Sequence, residues 1–365
     1  MVNKDISTDS NSINIHNSFK LLRYTKINNT FYLIWVSKQN IKLASYSYTD
    51  EISKSQILIE AISDTQFSSP YIEYEKNSKT FFWTCILESY YDKILINQTE
   101  FSTISQSNIV SVPPLIYKSI NEYYFTLDRN QEPIFIISHI DLNEIINDTS
   151  AMTEIAFSYN LSNSLTFLNQ SSYNYRICRN NLDEIFFLFK SNNTFYYSLF
   201  KNKNFSKPRA LSDIVDIPDN IENLNVFCDF SNIFYFSWIE NETNIYVTSN
   251  KTGIFETPIS LFNSTLPISN PIIKYYNNTK GFMTFCDENY QIYFFELNNF
   301  SIEHNRIFSN NPYVFPNFGI NNDSSVTLFW QEILNMENII EECENRVVLV
   351  NYLGNGLYSD LVHIN

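Results

Sequence analysis

Hydrophobic and polar positions alternate in short runs along nearly the whole chain, with polar turns between the runs. The stretch Leu224–Leu261 shows the pattern most fully. One apolar run ends before Asp229, a second ends at Trp238, and a third is Asn244–Ser249. A polar loop then leads to Phe255, Pro258 and Leu261. Alternation with a period of two over such lengths marks strands with one face buried, so the stretch predicts a four-stranded antiparallel unit.

The unit recurs. Taking the last bulky residue of each second strand gives Trp35, Trp83, Leu127, Phe189, Trp238, Phe285 and Trp330, at intervals of about 48, 44, 62, 49, 47 and 45 residues. First strands often begin beside proline, as in Ser69–Tyr74, Pro113–Lys118, Asn270–Tyr276 and Phe315–Ile320. There the missing N–H would fall at the end of a ladder. Third strands read Ile41–Ser47, Lys93–Asn97, Phe195–Phe200, Asn244–Ser249, Gln291–Leu297 and Arg346–Tyr352.

A lone blade cannot bury both faces, whereas a ring of blades can. The expectation is therefore an all-β fold, a seven-bladed β-propeller of four-stranded antiparallel blades. It follows a tail at 1–12 and fills 13–365, with blades near 13–66, 67–110, 111–170, 171–220, 221–268, 269–313 and 314–365. A pair of β-sandwiches is the alternative, but it gives no reason for the even spacing. Two places break the rhythm. Ile145–Ser172 reads as an outer strand plus an excursion, and Gln331–Asn345 as a short helix or extended hairpin. With its own first and last strands, the ring is expected to close through side chains alone, at its weakest seam.

Composition agrees with strands: 25 tyrosines and 31 phenylalanines stand against 5 glycines. The net charge of −15 disfavours nucleic acid and anionic membrane surfaces as partners. No apolar stretch reaches the length of a membrane span, and the polar start lacks a secretory pattern. Cys85, Cys178, Cys228, Cys286 and Cys343 form no C-x-x-C pair and read as small buried hydrophobes. A cytoplasmic protein is the expectation.

Two turns after third strands share a frame. Ser198, Phe205, Pro208 and Leu211 match Thr248, Phe255, Pro258 and Leu261 in spacing, and Ser45 to Leu58 follows the same frame. The frame resembles a decayed Asp-box of the sialidase-like (BNR-repeat) propellers, with Phe200 or Asn250 in the Asp place and Asn202 or Thr252 in the glycine place. That resemblance implies structural turns on one face and a working face made by the opposite loops.

On that face the loops are acidic and carry aromatics. Candidate binding residues are Tyr90, Tyr91, Asp128, Glu240, Glu242, Asp287, Glu288, Tyr290, Glu332, Glu341 and Glu342. The loop from Asp213 to Glu222 adds further carboxylates. Sialidase chemistry would need clustered arginines, and only Arg23, Arg176 and Arg179 fall near innermost strands. His16, His139, His304 and His363 are scattered, so no metal or other cofactor is expected. The reading that follows is a non-catalytic module binding a protein through these loops. The alternative is a carbohydrate-binding or glycoside-hydrolysing propeller of the sialidase-like kind.

Overall fold

The computed structural model describes residues 22–365 apart from 38–39, 48–54, 60–65, 89–92, 100–109, 112–117, 129, 142–152, 160–165, 169–172, 181, 183, 192–193, 203, 219–220, 230, 278, 309–315, 322 and 335–344. These residues form seven antiparallel sheets, each from strands consecutive in sequence. The first joins β1 (Leu22–Ile27), β2 (Thr30–Ser37), β3 (Asn40–Ser47) and β4 (Gln56–Ile59). The second joins β5 (Gln66–Glu75), β6 (Thr80–Glu88), β7 (Lys93–Thr99) and β8 (Val110–Ser111). The third holds β9 (Lys118–Leu127), β10 (Pro133–Asp141), β11 (Thr153–Tyr159) and β12 (Thr166–Leu168). The fourth holds β13 (Tyr173–Arg179), β14 (Ile185–Ser191), β15 (Thr194–Lys201), β16 (Asn204–Phe205) and β17 (Arg209–Ala210). The fifth is β18 (Glu222–Cys228), β19 (Phe234–Glu240), β20 (Asn244–Ser249) and β21 (Ile259–Asn263). The sixth is β22 (Ile268–Tyr275), β23 (Lys280–Asp287), β24 (Ile292–Asn298) and β25 (Ser301–Phe308). The last comprises β26 (Asn317–Ile320), β27 (Val326–Ile333), β28 (Asn345–Gly354), β29 (Leu357–Tyr358) and β30 (Val362–Ile364).

Burial explains the arrangement. Second strands are apolar on both faces, as in β14 and β23, because each is covered by a neighbouring sheet on either side. Fourth strands alternate between exposed and half-buried positions, as in β25. Seven apolar clusters lie between neighbouring sheets: Trp83 of the second sheet packs on Ile34 and Leu43 of the first, and Phe125 and Phe135 of the third on Ile94 and Ile96 of the second. Ile136 meets Phe187, Leu188 meets Trp238, Ile245 meets Phe285, and Phe294 meets Trp330. The seventh cluster sets Phe329 and Leu349 of the last sheet against Phe31 and Trp35 of the first. Successive first strands also pack on one another around the centre, β1 on β5, β5 on β9, β13 on β18 and β18 on β22. The chain is an all-β propeller of four-stranded antiparallel blades.

Among the described residues, the last sheet meets the first without exchanging a strand. Tyr24 donates to the Phe318 carbonyl at 2.9 Å and Lys26 to that of Ile320 at 2.6 Å. Gln331 Nε2 donates to the Val36 carbonyl at 3.0 Å, and Asn351 to the Tyr46 hydroxyl. Gly319 lies under Phe31, where a Cβ would fall 2.1 Å from the ring.

Three expectations need correction. Leu127 closes the first strand of its sheet, not the second, which is β10. The long interval after Leu127 is a consequence of that shift, since β11 and β12 within Ile145–Ser172 are the ordinary third and fourth strands. Proline does not mark strand entry in β5 and β22: Pro70 and Pro271 lie inside these strands, where the pairing register shifts. The extra residue of a β-bulge is unpaired, so a missing donor costs nothing there. Within Gln331–Asn345, β27 continues to Ile333 and β28 starts at Asn345. The expected helix falls on residues outside those described.

The matched turns after β15 and β20 do share a construction. Ser198 donates to the Ser206 carbonyl at 2.6 Å, and Thr248 to that of Glu256 at 2.5 Å. Phe205 packs on Phe187 and Phe200, and Phe255 on Phe236.

Candidate functional site

In an antiparallel blade, turns after the first and third strands lie at one end of the propeller, and those after the second strand at the other. The acidic loops named from sequence divide accordingly. Glu240, Glu242, Asp287, Glu288, Tyr290 and Glu332 sit at the turns after second strands and share one end. Asp128 follows β9, a first strand, and lies at the opposite end. Tyr90, Tyr91, Glu341 and Glu342 lie outside the described residues.

Most of these described side chains serve the fold. Asp128 Oδ1 accepts the Asn130 and Glu132 amides, both at 2.8 Å. Asp287 Oδ1 accepts those of Asn289 and Gln291 at 2.9 Å, and Oδ2 the Tyr293 hydroxyl at 3.0 Å. Asp229 repeats the pattern with Ser231, Ile233 and Tyr235, and Asn180 with Leu182 and Glu184. The residue three positions after the cap is left-handed at Gln131, Asn232 and Tyr290. Glu240 accepts the Trp238 indole N–H at 2.9 Å, and Glu332 pairs with Arg346 at 2.5 Å. Glu242 and Glu288 are exposed.

A different set lines the innermost strands, and the first-strand bulges place part of it. In four sheets the register shifts on the first strand just before Tyr71, Arg176, Asn225 or Ile272. A bulge bends its strand and re-aims the following side chain. Three of those four residues then reach across to the next blade. Arg23 Nη2 of β1 donates to the Tyr71 hydroxyl at 3.2 Å, its guanidinium 4.7 Å from the ring centroid. Tyr71 in turn packs on Tyr123 and Tyr124 of β9. Arg176 Nε donates to Asn225 Oδ1 at 3.0 Å, and Asn225 Nδ2 to the Pro271 carbonyl at 3.2 Å. Lys274 donates to Tyr24 at 2.9 Å and Asn317 at 3.0 Å, and also to the Phe318 carbonyl. Arg179 Nη1 donates to Thr126 Oγ1 at 3.2 Å, and Thr126 hydrogen-bonds the Glu73 carboxyl. Side chains from first strands thus link neighbouring blades around the hub.

Electrostatically the hub is the reverse of the whole. In a chain of net charge −15, the described first-strand side chains carry Arg23, Lys26, Arg176, Arg179 and Lys274 against Glu73 and Glu75. Glu75 is spent on its own turn, accepting the Asn77 and Ser78 amides. Glu73 is the remaining carboxyl. Burial pushes it up to about 7, against the nearby Arg179 charge and the bond from Thr126, both of which favour the ionised form. Burial also raises the Tyr124 phenol and lowers the Lys26 ammonium. Glu73, Thr126, Arg179 and Lys274 all fall in the last three residues of their strands, at the end away from the acidic second-strand turns.

Sequence reasoning singled out Arg23, Arg176 and Arg179 but passed over Glu73, Tyr71, Thr126, Asn225 and Lys274. The readable signal was a charged or amide residue breaking a first-strand run, as Glu73 does in YIEYE and Lys274 in PIIKYY. Among the described residues no helix is long and apolar enough to cross a membrane, and no three His, Cys, Asp or Glu side chains group as metal ligands do.

No family model matches the chain, and no curated protein matches it in sequence. Solved structures do resemble its fold. An ulvan lyase, a polysaccharide lyase bound to a saccharide of glucuronic acid and sulfated rhamnose, superposes with a TM-score of 0.53 at 8% identity, over 88% of this chain and 90% of that one. A protein of unknown function from Dyadobacter fermentans gives 0.52 at 7% identity, over 80% and 96%. The fucose-binding Aleuria aurantia lectin, a six-bladed propeller, gives 0.43 at 7% identity, over 78% and 94%.

Proposed function

We propose that the chain is a carbohydrate-binding module, a seven-bladed propeller that takes a saccharide at its hub. The observation that carries this is the series of first-strand contacts around the hub: Arg23 on Tyr71, Tyr71 on Tyr124, Arg176 on Asn225 and Lys274 on Tyr24. Aromatic faces and fixed donors together suit a ring with apolar faces and hydroxyl edges. The saccharide-bound polysaccharide lyase of like fold supports the same reading. Hydrolysis through two carboxyls finds less support, since Glu73 is the one described first-strand carboxyl not held by its own turn.

The test is a glycan array probed with the full chain, followed by titration of the best ligand. Tyr71→Ala is expected to weaken binding by up to about tenfold, the scale of a lost stacking contact. Glu242→Lys with Glu288→Lys, at exposed second-strand turns, is expected to leave it unchanged. The opposite pattern would move the site to the acidic turns and favour a protein-binding role.

A further inference from the structure

We propose that the hub holds an anion site of its own, in which a carboxylate or sulfate of an acidic saccharide displaces Glu73 from beside Arg179, and Glu73 takes up a proton as it is displaced. The inference deepens the carbohydrate reading and rests on it for the saccharide, though not for the anion.

Geometry makes the argument. Glu73, Thr126 and Arg179 come from three successive first strands and meet at one end of the hub, Arg179 donating to Thr126 with the Glu73 carboxyl beside both, so an anion entering there competes with Glu73 for the same guanidinium. The groups around Glu73 are few. Its own strand brings Tyr71 and the turn-bound Glu75, and β6 sets Phe82 opposite it. Strand β9 brings Tyr124 and Thr126, and β13 brings Arg179 and Cys178. From β1 comes Arg23, whose Nε has no protein partner among the described residues. Strands β2 and β3 pack on the other face of β5, where Tyr32, Ile34 and Leu43 join Ile72 and Tyr74. Burial holds the Tyr124 phenol neutral, and a hydrogen bond with Cys228 together with burial holds the Cys178 thiol neutral, so Glu73 is the group in this set that changes charge near neutrality.

An ionised Glu73 both occupies Arg179 and repels an incoming anion; a protonated one does neither. An anion therefore binds the protonated form better, and binding raises the proton affinity of Glu73 in return, by linkage. Sulfate and sugar carboxylates stay charged throughout this range, so the pH dependence belongs to the protein. The step is one of binding and protonation alone, with the proton drawn from solvent.

The experiment is calorimetric titration of the full chain with glucuronate and with inorganic sulfate at pH 6 and pH 8, in buffers of different ionisation enthalpy. Wild type is expected to bind more tightly at pH 6, losing up to about tenfold per pH unit above 7, with close to one proton taken up at pH 8. Glu73→Gln is expected to bind at pH 8 as wild type does at pH 6, with no proton uptake. Arg179→Gln is expected to lose binding at both; should it not fold, Arg179→Lys, which keeps the charge but not the fork, is expected to weaken it. Affinity independent of pH in wild type, an unchanged pH profile in Glu73→Gln, or no binding of either anion would overturn the site. Neutral glycans bound without anions would leave the carbohydrate reading standing alone. Anions bound while no glycan on the array binds would do the reverse.

Discussion

Glu73 is a carboxyl placed where the fold discourages its charge. Because burial raises its pKa to about 7, the folded chain keeps a proton there that the unfolded chain gives up near 4.5. Stability from this group is therefore full below pH 4.5, falls as pH rises from there to 7, and then levels. The span corresponds to roughly 3 kcal/mol as an order of magnitude. In urea unfolding, Glu73→Gln should match wild type near pH 4 and exceed it at pH 8, and equal differences at both pH values would contradict the burial argument. In the sequence this residue was one polar position in an alternating run, indistinguishable from a solvent-facing neighbour. Only the bulge and the strand beyond it reveal what it meets.

Among the elements, the capped turns repeat most faithfully. An acid or amide accepts the amides two and four positions on, and at Asp229 and Asp287 a tyrosine six positions on completes the set. Removing the acceptor leaves those donors unmet, so Asp229→Ala should cost about 1–3 kcal/mol, and Asp229→Asn, which retains Oδ1, much less. Chemical denaturation of the two variants separates them, and equal losses would mean that the turn does not depend on its cap. Strand existence was legible because alternation is a local property: β20 coincides with the expected third strand Asn244–Ser249. Rank within a blade was not. Leu127 ends an apolar run as convincingly as Trp83 does, and nothing local distinguishes a first strand from a second. The bulges were hidden for a related reason, since Pro70 reads as an entry signal until its partner strand shows the ladder passing it by.

For the molecule as a whole, the junction of the last sheet with the first is the informative place. It relies on the Phe329–Phe31–Trp35 cluster and a few side-chain hydrogen bonds, with Gly319 giving Phe31 room. Gly319→Ala has to push that ring aside, at a cost of about 1–3 kcal/mol. Hydrogen exchange should then show the loss first in β1 and β26, ahead of β18 and β19 on the far side. Uniform loss of protection would mean that the circle opens everywhere at once. The period of the repeat made the ring legible, and side-chain closure followed from each blade owning its strands. The hub was not legible, because it is assembled from residues that no single repeat contains.

A circle fastened by side chains alone behaves like a split washer, free to gape at one cut while its other joints hold. Lys274 and Tyr24 already clasp across that cut through the sixth, last and first sheets. Any guest seated on the axis would grip several segments at once and act as a rivet, so occupancy should be felt most strongly at the cut, far from where a loop-bound partner would register.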